Sequence, residues 1–206
     1  MERYDRGMAP RGWCNRLYRG DNLALLRRWA RAGLPPLDLI YVDPPYLTGV
    51  AYLASRNEGS RHAREAYSDV WEGGVLEYLA DLQPRLEAIY EVLAPTGSLF
   101  VHVGWQVNAH VRLLLDRIFG PDKLVDEIIW HYQTSSGAPG AALIKNHATI
   151  FHYAKGDRWV FNQLREPWPE RTLRKWQRDE DGRIYRVQNK FGKRYYIDPE
   201  DRKSVV

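Results

Sequence analysis

The sequence predicts an α/β fold: a mostly parallel sheet with a β-hairpin, followed by a basic, aromatic-rich C-terminal extension. Three observations predict it. First, Leu37-Asp38-Leu39-Ile40-Tyr41-Val42 and Ser98-Leu99-Phe100-Val101-His102-Val103 are apolar runs of strand length that read as buried strands. Second, the segments around them carry apolar residues at helical spacing. Third, two β-rich segments, Glu127 to Tyr132 and Ala148 to Tyr153, flank a Ser/Gly/Pro/Ala stretch from Thr134 to Ala142, the pattern of a hairpin with a long loop.

The elements follow in order. Residues 1–12 read as a frayed end, and Arg16-Leu17-Tyr18 as a short strand. Asp21 or Asn22 is placed to cap a helix reaching about Ala32, with Leu23, Leu26 and Ala30 on one face. Gly33 stops that helix and Pro35-Pro36 prevent its return. With the strand Leu37–Val42 next, the order is strand-helix-strand with short connections, the grammar of a parallel sheet. Residues 47–72 are polar, glycine-dotted and without period, the composition of a mobile loop. A helix is expected from Val75 to Leu93, burying Leu79, Leu82, Leu86, Ile89, Tyr90 and Leu93, with Pro84 kinking or dividing it. Pro95-Thr96-Gly97 read as a turn. A further helix spans Val107 to Phe119 and ends at Gly120-Pro121. Beyond Lys155, aromatics such as Trp159, Phe161, Trp168, Trp176, Tyr185, Phe191, Tyr195 and Tyr196 alternate with basic residues, and Asp179 to Arg183 form a turn.

Composition bounds the function. The chain has 206 residues, 44% of them apolar, which excludes wholesale disorder. The lone Cys14 excludes an internal disulfide framework and suits a reducing cytoplasm. No apolar run reaches the length of about 18 residues that a membrane span needs, and the six histidines show no paired ligand spacing, so neither a membrane nor a metal is expected. The net charge of +4 is uneven: residues 154–206 hold 14 Lys/Arg against 9 Asp/Glu. A near-neutral body with a basic, aromatic end is compatible with a polyanionic partner, or with an ordinary solvated surface.

The strand Leu37–Val42 runs straight into Asp43-Pro44-Pro45-Tyr46. Two prolines remove two backbone donors and end the strand. A carboxylate, a rigid carbonyl-rich turn and an aromatic ring therefore sit at a strand's carboxyl end, where open α/β sheets bind ligands. An ionised carboxylate only accepts hydrogen bonds, as does the Pro44 carbonyl. Two such acceptors suit an NH₂ group, and the Tyr46 ring offers a stacking face for a flat heterocycle, an interaction of roughly 1–3 kcal/mol per base. Together they describe a site for the exocyclic amine of a flipped nucleobase.

The tetrad Asp43-Pro44-Pro45-Tyr46 resembles the catalytic motif of the amino-directed DNA methyltransferases. Leu17-Tyr18-Arg19-Gly20-Asp21-Asn22-Leu23 is similar to the family's segment upstream of the catalytic strand, and Gly97 to His102 to its next core strand. Phe119-Gly120, Glu127 to Trp130 and His147 to Tyr153 are similar to its later hairpin region. The order matches the permuted, β-type group and covers roughly residues 15–195. The resemblance implies a Rossmann-like class I methyltransferase sheet and methyl transfer from S-adenosylmethionine to DNA, within restriction-modification. It implies that Asp43 and Pro44, in the turn stiffened by Pro45, hold the amine and that Tyr46 stacks on the base. Asp21 and Asn22 would lie near the adenosine end of the cofactor. Asp43 at the first motif position favours adenine N6 over cytosine N4.

One expected segment is absent. The family's Phe-x-Gly-x-Gly-type cofactor loop should follow the hairpin region, and Gly137-Ala138-Pro139-Gly140 does not match it. The sequence is therefore expected to be a truncated or split methyltransferase: a tail over residues 1–14, an incomplete catalytic region over 15–155, and an extension over 156–206 that begins target recognition. Its partners would be DNA and a complementing methyltransferase half or a restriction subunit. A non-catalytic DNA-binding remnant and a cytosine-N4 enzyme remain open alternatives, while a nucleotide-dependent oxidoreductase lacks its Gly-x-Gly-x-x-Gly. Asp21 also reads as a plain helix cap, and His102 as a supporting residue at the site's edge.

Overall fold

The structure, a computed structural model, describes residues 3–4, 15–54, 64–133, 144–162, 165–166, 176–188, 193–196 and 203–204. Two compact units divide the chain, Met1–Val160 and Phe161–Val206.

In the first unit, strand β1 (Arg3–Tyr4) pairs antiparallel with β2 (Leu17–Tyr18). This corrects two expectations. The segment 1–12 holds a short strand, and β2 does not join the strand that follows the helix. A two-residue strand has too few ladder bonds to extend a sheet by itself. Helix α1 (Asn22–Arg31) starts where the sequence placed it: Asp21 is the N-cap, its carboxylate accepting from the Leu23 amide at 3.0 Å. Gly33 takes φ 59° past its end. Its inner face is Leu23, Leu25, Leu26 and Trp29, all only half-buried, while Ala30 is exposed. Trp29 fixes the exit by donating its indole N–H to the Pro35 carbonyl at 2.9 Å.

Strand β3 (Leu37–Val42) lies at one end of a four-stranded sheet. The expectation of a fully buried strand is corrected. Ile40 and Val42 pack on the core, but Leu39 and Tyr41 are 61% and 53% exposed. Alternate residues face opposite sides of a sheet, and among the described residues only one side of β3 is covered. Residues 47–72 also differ from expectation. They form a stem in which β4 (Ala51–Ala54) pairs antiparallel with β5 (Arg64–Ser68), and residues 55–63 lie outside the described residues.

Helix α2 (Gly74–Val92) is continuous through Pro84. Leu82, Leu86 and Ile89, buried on both sides of the proline, hold the helix together by packing, which outweighs one lost backbone bond. Leu79 and Tyr90 are only partly buried, and Tyr78, Ala88 and Val92 complete the buried face. Strand β6 (Leu93–Gly104) follows at once. The turn expected at Pro95-Thr96-Gly97 is instead an irregularity inside β6. Leu37 pairs with Leu93 and Leu39 with Ser98, so the residues between are gathered against β3. Gly97 is required there: a Cβ would sit 2.9 Å from the Leu37 carbonyl oxygen. Helix α3 (Asn108–Phe119) ends at Gly120, φ 103°, and Pro121–Lys123 make one 3₁₀ turn. The expected hairpin is present as β7 (Leu124–His131) and β8 (His147–Ala154), antiparallel, with the connector 134–142 outside the described residues.

The sheet order is β3-β6-β8-β7. The β3–β6 ladder is parallel; β6–β8 and β8–β7 are antiparallel. The α/β class and the hairpin therefore hold, in a mixed sheet with less parallel pairing than the element order suggests. Leu86, Leu99, Val101, Val103, Val107, Val111 and Leu115 are fully buried and, with Phe151 and Tyr153, form the core between the sheet and helices α2 and α3. Among the described residues no helix is long and apolar enough to cross a membrane.

His152 of β8 is buried, stacked on Phe100 at 4.2 Å, with Nε2 3.0 Å from Ser98 Oγ and Nδ1 3.5 Å from Asp126. Burial, only partly opposed by Asp126, lowers its pKa below the ordinary value. The unfolded chain therefore takes up the proton first as pH falls. Stability is full above about pH 6.5 and declines below it, toward the folded pKa. Urea midpoints at pH 7.5 and 5.5 should differ in the wild type, and His152→Gln should narrow that difference.

The second unit has β9 (Arg165–Glu166), β10 (Gln177–Arg178), β11 (Ile184–Gln188), β12 (Lys193–Tyr196) and β13 (Lys203–Ser204). β10-β11-β12 form one antiparallel sheet, and β9 pairs with β13. The expected turn at Asp179–Arg183 is present: Asp179 accepts the Asp181 and Arg183 amides, and Gly182 takes φ 79°. Tyr185 is buried 6.0 Å from the Tyr196 ring, over which the Arg183 guanidinium lies at 4.7 Å. The side chains of Trp168, Phe191 and Tyr195 lie outside the described residues.

Candidate active site

The tetrad stands at the carboxyl end of β3, the end strand of the sheet, next to β6. Asp43 projects outward, its side chain 60% exposed. Tyr46 folds back on it, donating its hydroxyl to Asp43 Oδ1 at 2.5 Å. Burial first, and that hydrogen bond next, push the Tyr46 hydroxyl well above its ordinary pKa, so it remains a donor. One carboxylate oxygen is thus engaged by Tyr46, an arrangement that residue order alone does not signal. The Tyr46 ring packs on Gly104 at the end of β6, where a Cβ would come within 3.3 Å of it.

His102 of β6 sits edge-on to Tyr46, ring centroids 5.6 Å apart. Its Nδ1 is 2.9 Å from the Tyr41 hydroxyl and 3.8 Å from Asp43 Oδ1, while its Nε2 is buried without a hydrogen-bond partner. Burial and then the Asp43 charge raise the Tyr41 pKa. His102 therefore borders the site, as expected, and brings Tyr41 with it.

The turn itself is held from behind. Leu47 adopts φ 58°, the left-handed region that a leucine rarely occupies. The amides of Tyr46, Leu47 and Thr48 all donate to the Asp69 carboxylate. Sequence reasoning missed Asp69, because an acid in a polar segment looks like any solvated loop residue until its burial is known.

Asn22, Val42, Pro44, Pro45, Trp71, Tyr78, Leu82, Arg85 and Leu86 are among the residues lining a cavity of about 250 Å³. Its walls are chiefly apolar. Tyr78 is 1% exposed, and its hydroxyl has no hydrogen-bond partner. A neighbouring cavity of about 320 Å³ is lined by residues from Tyr18 to Arg28, including Asp21 and Asn22. Arg85 of α2 ties this corner together. It donates to Asp21, to Asn22 Oδ1 at 2.6 Å and to Asp81 at 3.0 Å. The Arg85 guanidinium, and next the Leu23 amide, hold the Asp21 carboxyl below the usual carboxylate range. Of the two residues put forward for a cofactor, the structure brings Asn22 to the same cavity as Pro44 and Pro45. Asp21 lines only the neighbouring one and is committed to Arg85 and the helix cap.

The model of a DNA methylase family covering the N6 and N4 types matches residues 37–200. The chain belongs to this family. A type II methyltransferase, M.EcaI of Enterobacter cloacae, is 31% identical over 149 residues, which is 71% of this chain and 31% of that protein. M.KpnI of Klebsiella pneumoniae is 28% identical over 141 residues, 68% of this chain and 32% of the relative. The EcoP15I Mod subunit of a type III restriction-modification enzyme of Escherichia coli is 26% identical over 163 residues, 71% and 25%. The chain thus spans about a third or less of the length of these curated relatives. Among solved structures, the M1.HpyAVI–SAM complex aligns at TM-score 0.44 and 15% identity, covering 74% of this chain and 60% of that one. A DNA modification methylase of Thermus thermophilus, TTHA0409, complexed with S-adenosyl-L-methionine, aligns at TM-score 0.44 and 19% identity, covering 76% and 63%.

Proposed function

We propose that this chain carries the base-binding and catalytic part of a DNA methyltransferase acting on the exocyclic N6 amine of a flipped adenine, with S-adenosylmethionine as methyl donor. The observation that carries the reading is the pairing of Asp43 with Tyr46 at the open carboxyl end of β3, on a turn that presents acceptors to solvent. Asp43, through the oxygen that Tyr46 leaves free, and the Pro44 carbonyl accept the two amine hydrogens. This draws the nitrogen lone pair out of conjugation with the ring and makes it a nucleophile. The carboxylate also stabilises the positive charge that grows on the nitrogen. The Tyr46 ring, steadied by its hydroxyl bond to Asp43, is the stacking face for the base, and Pro45 keeps the turn stiff.

S-adenosylmethionine, when bound, supplies the electrophilic methyl group. The cavity beside Pro44 and Pro45 offers such a ligand two features: the orphaned, buried Tyr78 hydroxyl is an unused polar group, and the apolar walls suit the flat adenine ring. Asn22 and Tyr78 would hold the cofactor there, with Asp21 fixing the start of α1 and lining the adjoining space.

The second edge of β3, which has no strand partner among the described residues, supports a complementing methyltransferase segment or subunit. The Mod-subunit relatives support a restriction subunit as a further partner, and the lone cysteine a cytoplasmic setting.

The test expresses the chain with its native flanking genes in a methylation-free bacterial host and analyses digested chromosomal DNA. N6-methyladenine that vanishes when the chain is deleted supports the proposal. N4-methylcytosine would overturn the choice of base. Neither product would overturn the enzyme and leave the non-catalytic DNA-binding reading.

A further inference from the structure

Asp69 is 1% exposed and sits just past β5, between the hairpin stem and α2. Isolated, a buried carboxylate is strongly disfavoured. Here five donors converge on it. Oδ2 accepts from the Tyr46 amide at 3.2 Å, the Thr48 amide at 2.8 Å and the Thr48 hydroxyl at 2.7 Å. Oδ1 accepts from the Leu47 amide at 2.9 Å and the Trp71 indole at 3.2 Å. Burial alone would raise its pKa, but the Thr48, Leu47 and Trp71 donors outweigh it and hold the carboxyl below the usual range. Three successive amides aimed at one anion form a nest, and this nest is built from the residues directly after Pro44-Pro45. The Asp69 backbone is fixed in turn, because its N–H donates to the Val50 carbonyl at 3.0 Å and its carbonyl accepts from the Gly49 amide at 3.1 Å.

We propose that Asp69 is a positioning residue for methyl transfer: its carboxylate latches the backbone of residues 46–48 to the β4–β5 stem and so fixes the Tyr46 ring and the Asp43–Tyr46 pair in the arrangement that receives the base. The proposal rests on the tetrad being the base site. The geometry supports it in two ways. Leu47 is held at φ 58°, a conformation that needs outside restraint, and the Tyr46, Leu47 and Thr48 amides share Asp69 as their acceptor. Tyr46 is then clamped from both ends, by Asp69 at its amide and by Asp43 at its hydroxyl. Asp69 touches no reacting atom. Its effect is on placement, where an error of about 1 Å can cost on the order of 100-fold in rate.

The experiment compares Asp69→Asn and Thr48→Val with wild type, each expressed with its native flanking genes. Asp69→Asn keeps the volume but sets an NH₂ either against the Tyr46 and Thr48 amides or against the Leu47 amide and the Trp71 indole; Thr48→Val removes one donor and leaves the carboxylate. Hydrogen exchange at the amides of 46–48 reads the latch directly, whether or not the chain is a methyltransferase. Steady-state methyl transfer, run at a temperature where circular dichroism shows each variant folded, reads positioning. The expected result is loss of protection at 46–48 in Asp69→Asn with kcat about 100-fold lower. S-adenosylmethionine affinity should fall far less than kcat, since of the residues lining the cofactor cavity only Trp71 donates directly to Asp69, and Thr48→Val should fall between. Unchanged protection in Asp69→Asn, or unchanged kcat, overturns the latch. A wild-type chain with no methyl transfer overturns instead the function on which it rests.

Discussion

Replacing Asp43 with alanine should abolish methyl transfer while leaving DNA affinity within a few-fold of wild type. The carboxylate is the charged group of the tetrad, and its side chain is open to an incoming base. Removing one preorganised group that stabilises developing charge costs about 10²–10³-fold in kcat. Asp43→Ala does more, since it also strips the Tyr46 hydroxyl of its acceptor and releases the ring to which base stacking is assigned in our proposal. A fall of at least about 10³-fold is therefore expected. Asp43→Asn, which keeps an acceptor oxygen for Tyr46, should retain more activity than Asp43→Ala. Tritiated methyl transfer measures kcat, and filter binding measures DNA affinity. Wild-type turnover in Asp43→Ala, or loss of binding in a folded variant, would remove Asp43 from its assigned role.

Leu86→Ala should produce the largest loss of stability. Leu86 is fully buried in the cluster that joins α2 to β6 and α3, and it also walls the cavity under Pro44 and Pro45. Truncating a core leucine to alanine costs about 2–5 kcal/mol. The upper part of that range is expected, because Leu99, Val101 and Val103 on the sheet opposite cannot move inward without breaking their ladders. Urea unfolding at pH 7.5 checks it, and a midpoint near wild type would mean that the cavity collapses freely.

Legibility in the sequence follows the range of the interactions involved. The cap at Asp21, the stop at Gly33 and the breaker pair Gly120-Pro121 were legible because each depends on a few adjacent residues, and the hairpin β7–β8 because both of its strands are β-rich runs in themselves. Pro84 misled because packing by Leu82, Leu86 and Ile89 overrides a local rule. Leu39 and Tyr41 misled because an apolar run says nothing of which strand will lie at a sheet's end. Ala30 misled for a like reason, since the bulkier Trp29 took the inward place.

For the candidate site, the sequence by itself determined which groups the turn offers: an acid, two prolines and a tyrosine after a strand supply acceptors and an aromatic face, since residue type and order suffice for that. Only the tertiary structure decided how the turn is held. Asp69 lies 26 residues after Asp43, Arg85 64 after Asp21, and His102 61 after Tyr41. Each acts through a hydrogen bond or ion pair that exists only once the sheet and α2 have brought distant segments together. A buried carboxylate and a solvated one are the same letter in the sequence; burial and partners, which belong to the whole fold, make Asp69 the anchor of the turn.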